Sequence, residues 1–166
     1  MADFSDGVWF AAELPVVWLP ASQQSTFEAC RYLDVLTAFE QAGAAEVRPE
    51  DAKLDLQLLW LARVLTPQLP PVGEVKLGLE HVEWRATAKP DQDDSWLGIA
   101  LSNLFPYLVS LPIHLESAVN EGGNWRCTAA WRVGDELLRD ALERTIFRRH
   151  REQIRRLHST QNPTTD

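Results

Sequence analysis

The stretch EVKLGLEHVEWRA, residues 74–86, decides the fold. Apolar residues alternate with polar ones on both sides of a change of register: Val75, Leu77 and Leu79 before it, Val82 and Trp84 after it. Alternation with a period of two places one set of side chains on one face of a strand. The stretch therefore predicts β-structure with one face toward a core.

Further strand-like runs lie on both sides of this stretch. Downstream are SWLGIALSN (95–103), PYLVSLPIHLES (106–117) and NWRCTAAWRV (124–133), and the last two are joined by a predicted turn at EGGN. Upstream, VWFAAELPVVWL (residues 8–19) contains Pro15, which cannot donate a backbone hydrogen bond, so a bent or edge strand is expected. Short strands with turn signals at this spacing predict a small antiparallel barrel.

A helical segment, residues 22–67, separates the first strand from the others. Ser22 is expected to cap a first helix from Gln23 to Gln41. Apolar residues recur on one side of this helix: Phe27, Cys30, Leu33, Leu36 and Phe39.

The second inserted helix, EDAKLDLQLLWLARVL (50–65), has the most regular pattern in the chain. Its leucines are spaced four, three and four residues apart, as in a heptad seam: Leu54, Leu58, Leu61 and Leu65. Val47 continues this register backward and Asp51 interrupts it, whereas Leu56, Leu59 and Trp60 widen the apolar surface. The pattern alone fits a buried helix and a coiled coil equally well, because two heptads are too few to decide.

The last predicted element is a helix over 135–158, followed by a disordered tail over 159–166. Acids gather in its first turns and arginines in its last, as the helix dipole favours. The rest of the barrel is expected over residues 72–133. Residues 1–166 are thus expected to form a single α+β domain, a small antiparallel barrel that is closed by a C-terminal helix and interrupted after its first strand by two helices.

Composition and motifs exclude several function classes. A net charge of −8 opposes nonspecific nucleic-acid binding. The amino terminus shows no signal-peptide pattern and no apolar run suits a membrane span, so a cytoplasmic protein is expected, with Cys30 and Cys127 reduced. The four histidines lack metal-ligand spacing and G-x-S-x-G is absent, so neither a metal site nor an enzyme is expected.

The barrel with a final helix worded LERTIFRRHREQIRR (142–156) resembles the PilZ domain. The inserted AKLDLQLLWLARVL (52–65), followed by a proline-rich step, is similar to a tetrameric branch of that family. The resemblance implies a non-catalytic receptor or adaptor in cyclic di-GMP signalling. It also implies that one inserted helix forms a parallel four-stranded coiled coil with its copies.

The ligand-binding motifs of that family are R-x-x-x-R before the barrel and [DN]-x-S-x-x-G on a following strand. Aligned with the family, the second motif falls on Lys76, Gly78 and His81, and none keeps the expected residue type. The segment before Val75 offers only Arg63 for the first motif.

Three other stretches spell parts of these motifs at the wrong places. R-x-x-x-R occurs in the last helix, from Arg151 to Arg155, and Arg85 to Lys89 spells R-x-x-x-K. DDSWLG (93–98) spells the serine–glycine motif one strand too late, and we interpret it as an acidic turn, with a ligand site as the alternative.

The sequence thus predicts an adaptor that forms homotetramers through Leu54, Leu58, Leu61, Leu65 and Trp60. It is expected to contact an unidentified signalling protein, to bind no nucleic acid and no cofactor, and to bind cyclic di-GMP weakly or not at all. A genuine cyclic di-GMP receptor with noncanonical contacts is the alternative, and a purely structural oligomer is a third. Arg148, Arg149 and Arg151 are the candidates for a nucleotide, anion or partner site dispensable for folding, the alternative being a solvated helix end.

Overall fold

The computed structural model describes residues 7–42, 68–103 and 105–161, together with the single positions 54, 57, 58, 60, 61 and 64. Six antiparallel strands form a closed barrel in the order β1-β2-β3-β6-β5-β4. Their bounds are β1 Trp9–Leu19, β2 Val72–Gly78, β3 His81–Ala86, β4 Asp94–Ala100, β5 Leu108–Glu121 and β6 Asn124–Trp131. Two helices with described bounds accompany the barrel: α1 Thr26–Ala42 and α2 Glu136–Gln161.

The first strand changes partner at Pro15, which explains how the barrel closes. Residues Trp9 to Pro15 pair with β2, and from Val16 onward the strand pairs with β4. Proline interrupts the hydrogen-bond ladder at the point where the change occurs. The proline from which the sequence predicted a bent or edge strand therefore marks the position where β1 changes partner.

The alternation in residues 74–86 is confirmed as the inner surface of β2 and β3. The side chains of Val75, Leu77, Val82 and Trp84 are buried. The predicted turn between β5 and β6 is confirmed as well, because Gly122 and Gly123 both have positive φ (64° and 99°). A two-residue hairpin of this type requires positive φ at both central residues, which glycine adopts without steric cost.

Helix α1 begins later than the sequence predicted. Ser25 rather than Ser22 is the cap, because Ser25 Oγ accepts from Glu28 N at 3.2 Å while Glu28 Oε2 accepts from Ser25 N at 2.7 Å. This reciprocal pair is a capping box. Ser22 Oγ instead accepts from Gln24 N within a turn before the helix.

The apolar side of α1 also differs from the predicted one. Leu33 and Leu36 are fully buried as expected, but Phe27 is 67% exposed. Buried Ala29 and Tyr32 complete the inner face: Tyr32 stacks on aromatic rings of the segment before β5 and donates through its hydroxyl to Phe105 O at 3.1 Å. The late start explains the difference, since Phe27 lies in the first turn, outside this packed region.

Helix α2 lies against β1 and α1. Asp135 caps it, because its Oδ1 accepts from Leu138 N at 2.9 Å. The helix continues to Gln161, so the tail predicted from residue 159 is wrong for residues 159–161, and residues 162–166 lie outside the described part of the chain.

Candidate functional site

The DDSWLG stretch is a strand and not the acidic turn that the sequence suggested. Strand β4 begins at Asp94, and Asp94 pairs with His114 across the sheet, with Oδ1 and Nδ1 at 2.7 Å. Ser95 is 6% exposed, and its Oγ accepts a hydrogen bond from Trp18 Nε1 at 2.7 Å. The serine hydroxyl therefore provides the hydrogen-bond acceptor for the indole N–H of a tryptophan in the barrel.

Gly98, the last residue of the same motif, lies where two leucine side chains leave little room for a larger residue. A Cβ at this position would lie 3.0 Å from Leu19 Cδ1 and 3.1 Å from Leu108 Cδ2. Both distances are shorter than ordinary carbon–carbon contacts. Serine and glycine in this stretch thus have structural partners within the barrel.

The positions aligned with the family's serine–glycine motif have partners of their own. Lys76 Nζ lies 3.1 Å from Glu83 Oε1 on the neighbouring strand, and His81 Nε2 lies 3.4 Å from Glu116 Oε1. The carbonyl oxygen of Gly78 accepts from Trp131 Nε1 at 3.0 Å. Carboxylates therefore stand beside both of the nitrogen-bearing side chains.

Two further cations around β2, β3 and β6 are compensated in the same way. Arg85 Nε lies 3.1 Å from Glu74 Oε2, and Arg126 Nη2 lies 2.9 Å from Glu121 Oε1. We call these two ion pairs, together with Lys76–Glu83, the charged face of the barrel. Each of its three cations has a carboxylate within salt-bridge distance, which weakens its attraction for a phosphate.

Two of the three candidate arginines are part of the packing between the helices. Arg148 and Arg149 both form ion pairs with Glu40 of α1, and their side chains are only 11% and 16% exposed. Arg149 also donates to Leu101 O at 2.5 Å, and its guanidinium lies over the Phe10 ring at 5.7 Å. Burial lowers the pKa of Arg148, and the Glu40 carboxylate opposes that effect.

The expectation of a free basic surface therefore fits only Arg151 of these three. Arg151 is exposed on α2. The other two guanidinium groups join α1, α2 and the barrel, so a ligand would have to displace Glu40 to reach them. The acidic partner of this cluster was missed because nothing in the sequence relates Glu40 to residues more than a hundred positions away.

The described positions of the second inserted segment are helical and expose apolar side chains. Leu54, Leu58 and Leu61 of the heptad seam are 57%, 40% and 54% exposed, and Trp60 and Val64 are 74% and 62% exposed. Leu65 and the flanking positions Val47, Asp51, Leu56 and Leu59 lie outside the described residues. A helix with this much exposed apolar surface requires a cover that one chain does not provide at these positions.

A family model described as "Atypical PilZ domain, cyclic di-GMP receptor" matches residues 37–158. The chain belongs to the atypical PilZ family. This confirms the resemblance that the final helix and the inserted segment indicated.

A solved structure shares the PilZ fold of this chain. It is described as a pathogenic protein from Xanthomonas campestris with a new tetrameric PilZ domain self-assembled via a helical bundle. The TM-score is 0.78 at 24% sequence identity, and the match covers 91% of this chain and 92% of that one. No protein with a curated description matches.

Other kinds of site find no support in the described part of this PilZ domain. No three His, Cys, Asp or Glu side chains among the described residues are grouped so that they could hold a metal ion. Cys30 and Cys127 are free thiols. No helix within the described ranges is both long and apolar enough to span a membrane.

Proposed function

We propose that this PilZ domain is a non-catalytic adaptor of the cyclic di-GMP network, with weak direct affinity for the nucleotide and with self-assembly through its inserted helices. The observation that carries the first part is the pairing of Lys76 with Glu83, at a position aligned with the family's nucleotide-binding motif. His81, at another aligned position, lies beside Glu116.

Charge-assisted hydrogen bonds set the energetic scale of nucleotide binding. Each such bond to a phosphate or a guanine edge contributes about 1.5–3 kcal/mol, and each 1.4 kcal/mol changes a dissociation constant about tenfold. Loss of two such bonds therefore weakens binding by roughly a hundredfold or more. Lys76 would also have to leave Glu83 before it contacts a phosphate.

Self-assembly is supported by the exposed seam of Leu54, Leu58 and Leu61. None of the described positions of this segment (54, 57, 58, 60, 61 and 64) carries a charged side chain, so their burial between copies removes apolar surface from water at little electrostatic cost. The Xanthomonas campestris protein of the same fold is described as tetrameric and self-assembled via a helical bundle. A four-helix core formed by copies of residues 54–64 is the arrangement that we propose here.

Calorimetric titration with cyclic di-GMP tests the proposed weak affinity. We expect a dissociation constant above about 10 µM, and submicromolar binding would overturn the proposal. A Glu83→Gln variant sharpens the test, because it frees Lys76 while it preserves the size of the side chain. It should bind more tightly than the natural chain, and Glu136→Gln, which removes the same charge at an exposed position in the first turn of α2, should not.

The alternative is a genuine receptor with noncanonical contacts, and the family description favours it. The three cations of the charged face would then be available to phosphates, since the side chains of Arg85, Lys76 and Arg126 are 50%, 44% and 37% exposed. If tight binding is found and is lost in the variants Arg85→Gln and Arg126→Gln, the charged face is the receptor site.

A further inference from the structure

The last turns of α2 continue beyond the part of the helix that packs on the barrel. His150 Nδ1 lies 2.5 Å from Trp9 O, and Gln153 Oε1 accepts from Ala11 N at 3.2 Å. From Ile154 to Ser159, every residue is exposed, although Ile146 two turns earlier is fully buried. The end of the helix therefore presents a surface that the described part of the chain does not cover.

This exposed surface carries an apolar stripe. Phe147, Ile154 and Leu157 are 41%, 40% and 59% exposed. Spacings of seven and three residues place these side chains on the same side of a helix. We call these three residues the α2 stripe.

Two arginines border the α2 stripe along one edge. Arg151 and Arg155 are exposed, and a separation of four residues places them one above the other on the helix surface. Unlike Arg148 and Arg149, neither lies within salt-bridge distance of a carboxylate among the pairs of the α1–α2 interface. On a chain with net charge −8, this edge is a local concentration of positive charge.

We infer that the α2 stripe binds an amphipathic helix of a partner protein, one that presents apolar side chains flanked by carboxylates. The α2 stripe is about as wide as the apolar face of one helix. The guanidinium groups of Arg151 and Arg155 lie one turn apart, so they can pair with two carboxylates one turn apart on the partner helix. Burial of the stripe would also stabilise the last turns of α2, since a projecting helix end without tertiary contacts is marginal in water.

Charge favours an acidic amphipathic helix over two other occupants of the α2 stripe, a second copy of the chain and an anionic membrane. If the stripes of two copies faced each other with their helices antiparallel, Arg151 and Arg155 would meet their own counterparts, which is repulsive. An anionic membrane would attract the two arginines but repel the rest of a chain whose net charge is −8. The carboxylates of an acidic amphipathic helix would be attracted by Arg151 and Arg155, and such a helix need not contact the acidic rest of the chain.

The probe is a labelled synthetic helix of about 18 residues with leucine on one face and glutamate on the others, measured by fluorescence anisotropy with the full chain. A peptide with lysine in place of glutamate is the charge control. The natural chain should bind the glutamate peptide at least about tenfold more tightly than the lysine peptide. Equal affinity for the two peptides, or none for either, would overturn the inference.

Substitutions on the stripe locate the binding. The double variants Ile154→Gln/Leu157→Gln and Arg151→Gln/Arg155→Gln should each lose at least about tenfold in affinity for the glutamate peptide. Leu137→Gln, at a 70% exposed position of the same helix, and Arg132→Gln should bind as the natural chain does. If the controls lose affinity equally, the stripe is not the site.

Two further measurements separate the other occupants. If light scattering shows that Ile154→Gln/Leu157→Gln lowers the oligomer mass, the stripe is a contact between copies and the inference is wrong. It is also wrong if the chain sediments with phosphatidylcholine–phosphatidylglycerol vesicles and the arginine variant does not. Circular dichroism of each variant confirms that helix content is retained.

Discussion

Ser95 Oγ lies 2.7 Å from Trp18 Nε1, so the serine of the DDSWLG stretch accepts the indole hydrogen bond within the barrel wall. The hydroxyl is therefore already used by the fold, and Ser95 itself is 6% exposed. The serine of the motif thus has a structural partner in the pairing of β1 with β4.

Ser95→Ala should destabilise the protein by about 1–2 kcal/mol, because the indole N–H of Trp18 then loses its acceptor in a partly buried place. The shift of the urea midpoint measures this change. Ser159→Ala removes an exposed hydroxyl from α2 and should shift stability by less than about 0.5 kcal/mol. Equal effects of the two substitutions would contradict the role assigned to Ser95.

Gly98→Ala should cost about 1–3 kcal/mol, because its Cβ would press on the side chains of Leu19 and Leu108. Gly134→Ala is the matched control, since a Cβ there meets nothing within 4 Å and its φ is not in the positive range. The control should be neutral or slightly stabilising. Thermal unfolding of both variants decides whether packing explains the glycine.

Glu40→Gln should lower stability by about 2 kcal/mol, because it removes the carboxylate shared by two largely buried guanidinium groups. Arg149→Gln should have an effect of similar size, whereas Arg151→Gln should stay within about 0.5 kcal/mol of the natural chain. Urea unfolding of the three variants tests this order. If Arg149→Gln is as mild as Arg151→Gln, the cluster does not hold the helices together.

The combination Leu58→Asp/Leu61→Asp should dissociate the proposed oligomer, because it places charges in a core that would otherwise be apolar. Leu137→Asp, an equally drastic change at an exposed site on α2, should leave the mass unchanged. Light scattering coupled to size exclusion measures both. A monomer for the natural chain at tens of micromolar would end the proposal of self-assembly.

Stability should fall in alkaline solution partly through Cys127. Burial raises the pKa of its thiol to about 11, whereas an unfolded cysteine titrates near about 8.5. Below the unfolded pKa both states keep the proton, and as the pH rises toward 11 only the unfolded chain releases it, so stability is lost by up to about 1.4 kcal/mol per pH unit. Above about pH 9, where an unfolded cysteine loses its proton, the urea midpoint of Cys127→Ala should decline less steeply with pH than that of the natural chain. Parallel curves for the two proteins would contradict this.

The sequence predicted the secondary structure correctly where a local pattern of residues is enough to determine it. Alternation at Val75, Leu77, Val82 and Trp84 indicates a strand face, and two adjacent glycines at 122 and 123 indicate a tight turn. The start of α1 also has a local signal, since serine and glutamate three residues apart form a capping box at Ser25, whereas Ser22 has no glutamate or glutamine three residues later.

The site residues were harder to predict because their roles depend on distant partners. The arginines of α2 look alike in the sequence. In the structure, Arg148 and Arg149 form ion pairs with Glu40, whereas Arg151 is exposed. Ser95 likewise acquires its role from Trp18, seventy-seven positions away in the chain. Only the packing of α1 on α2, and of β1 on β4, brings these groups together.

The partner change of β1 at Pro15 has a consequence for how copies of this chain can meet. Trp9–Pro15 of β1 pair with β2 and Val16–Leu19 pair with β4, so each of the six described strands has two neighbouring strands and none stands at the end of the sheet. Strand addition, in which backbone groups of one molecule extend the sheet of another, therefore finds no terminal strand to extend. Contacts between molecules at the barrel must use side chains, and specificity then depends on which residues occupy the helices and the outer faces of the strands.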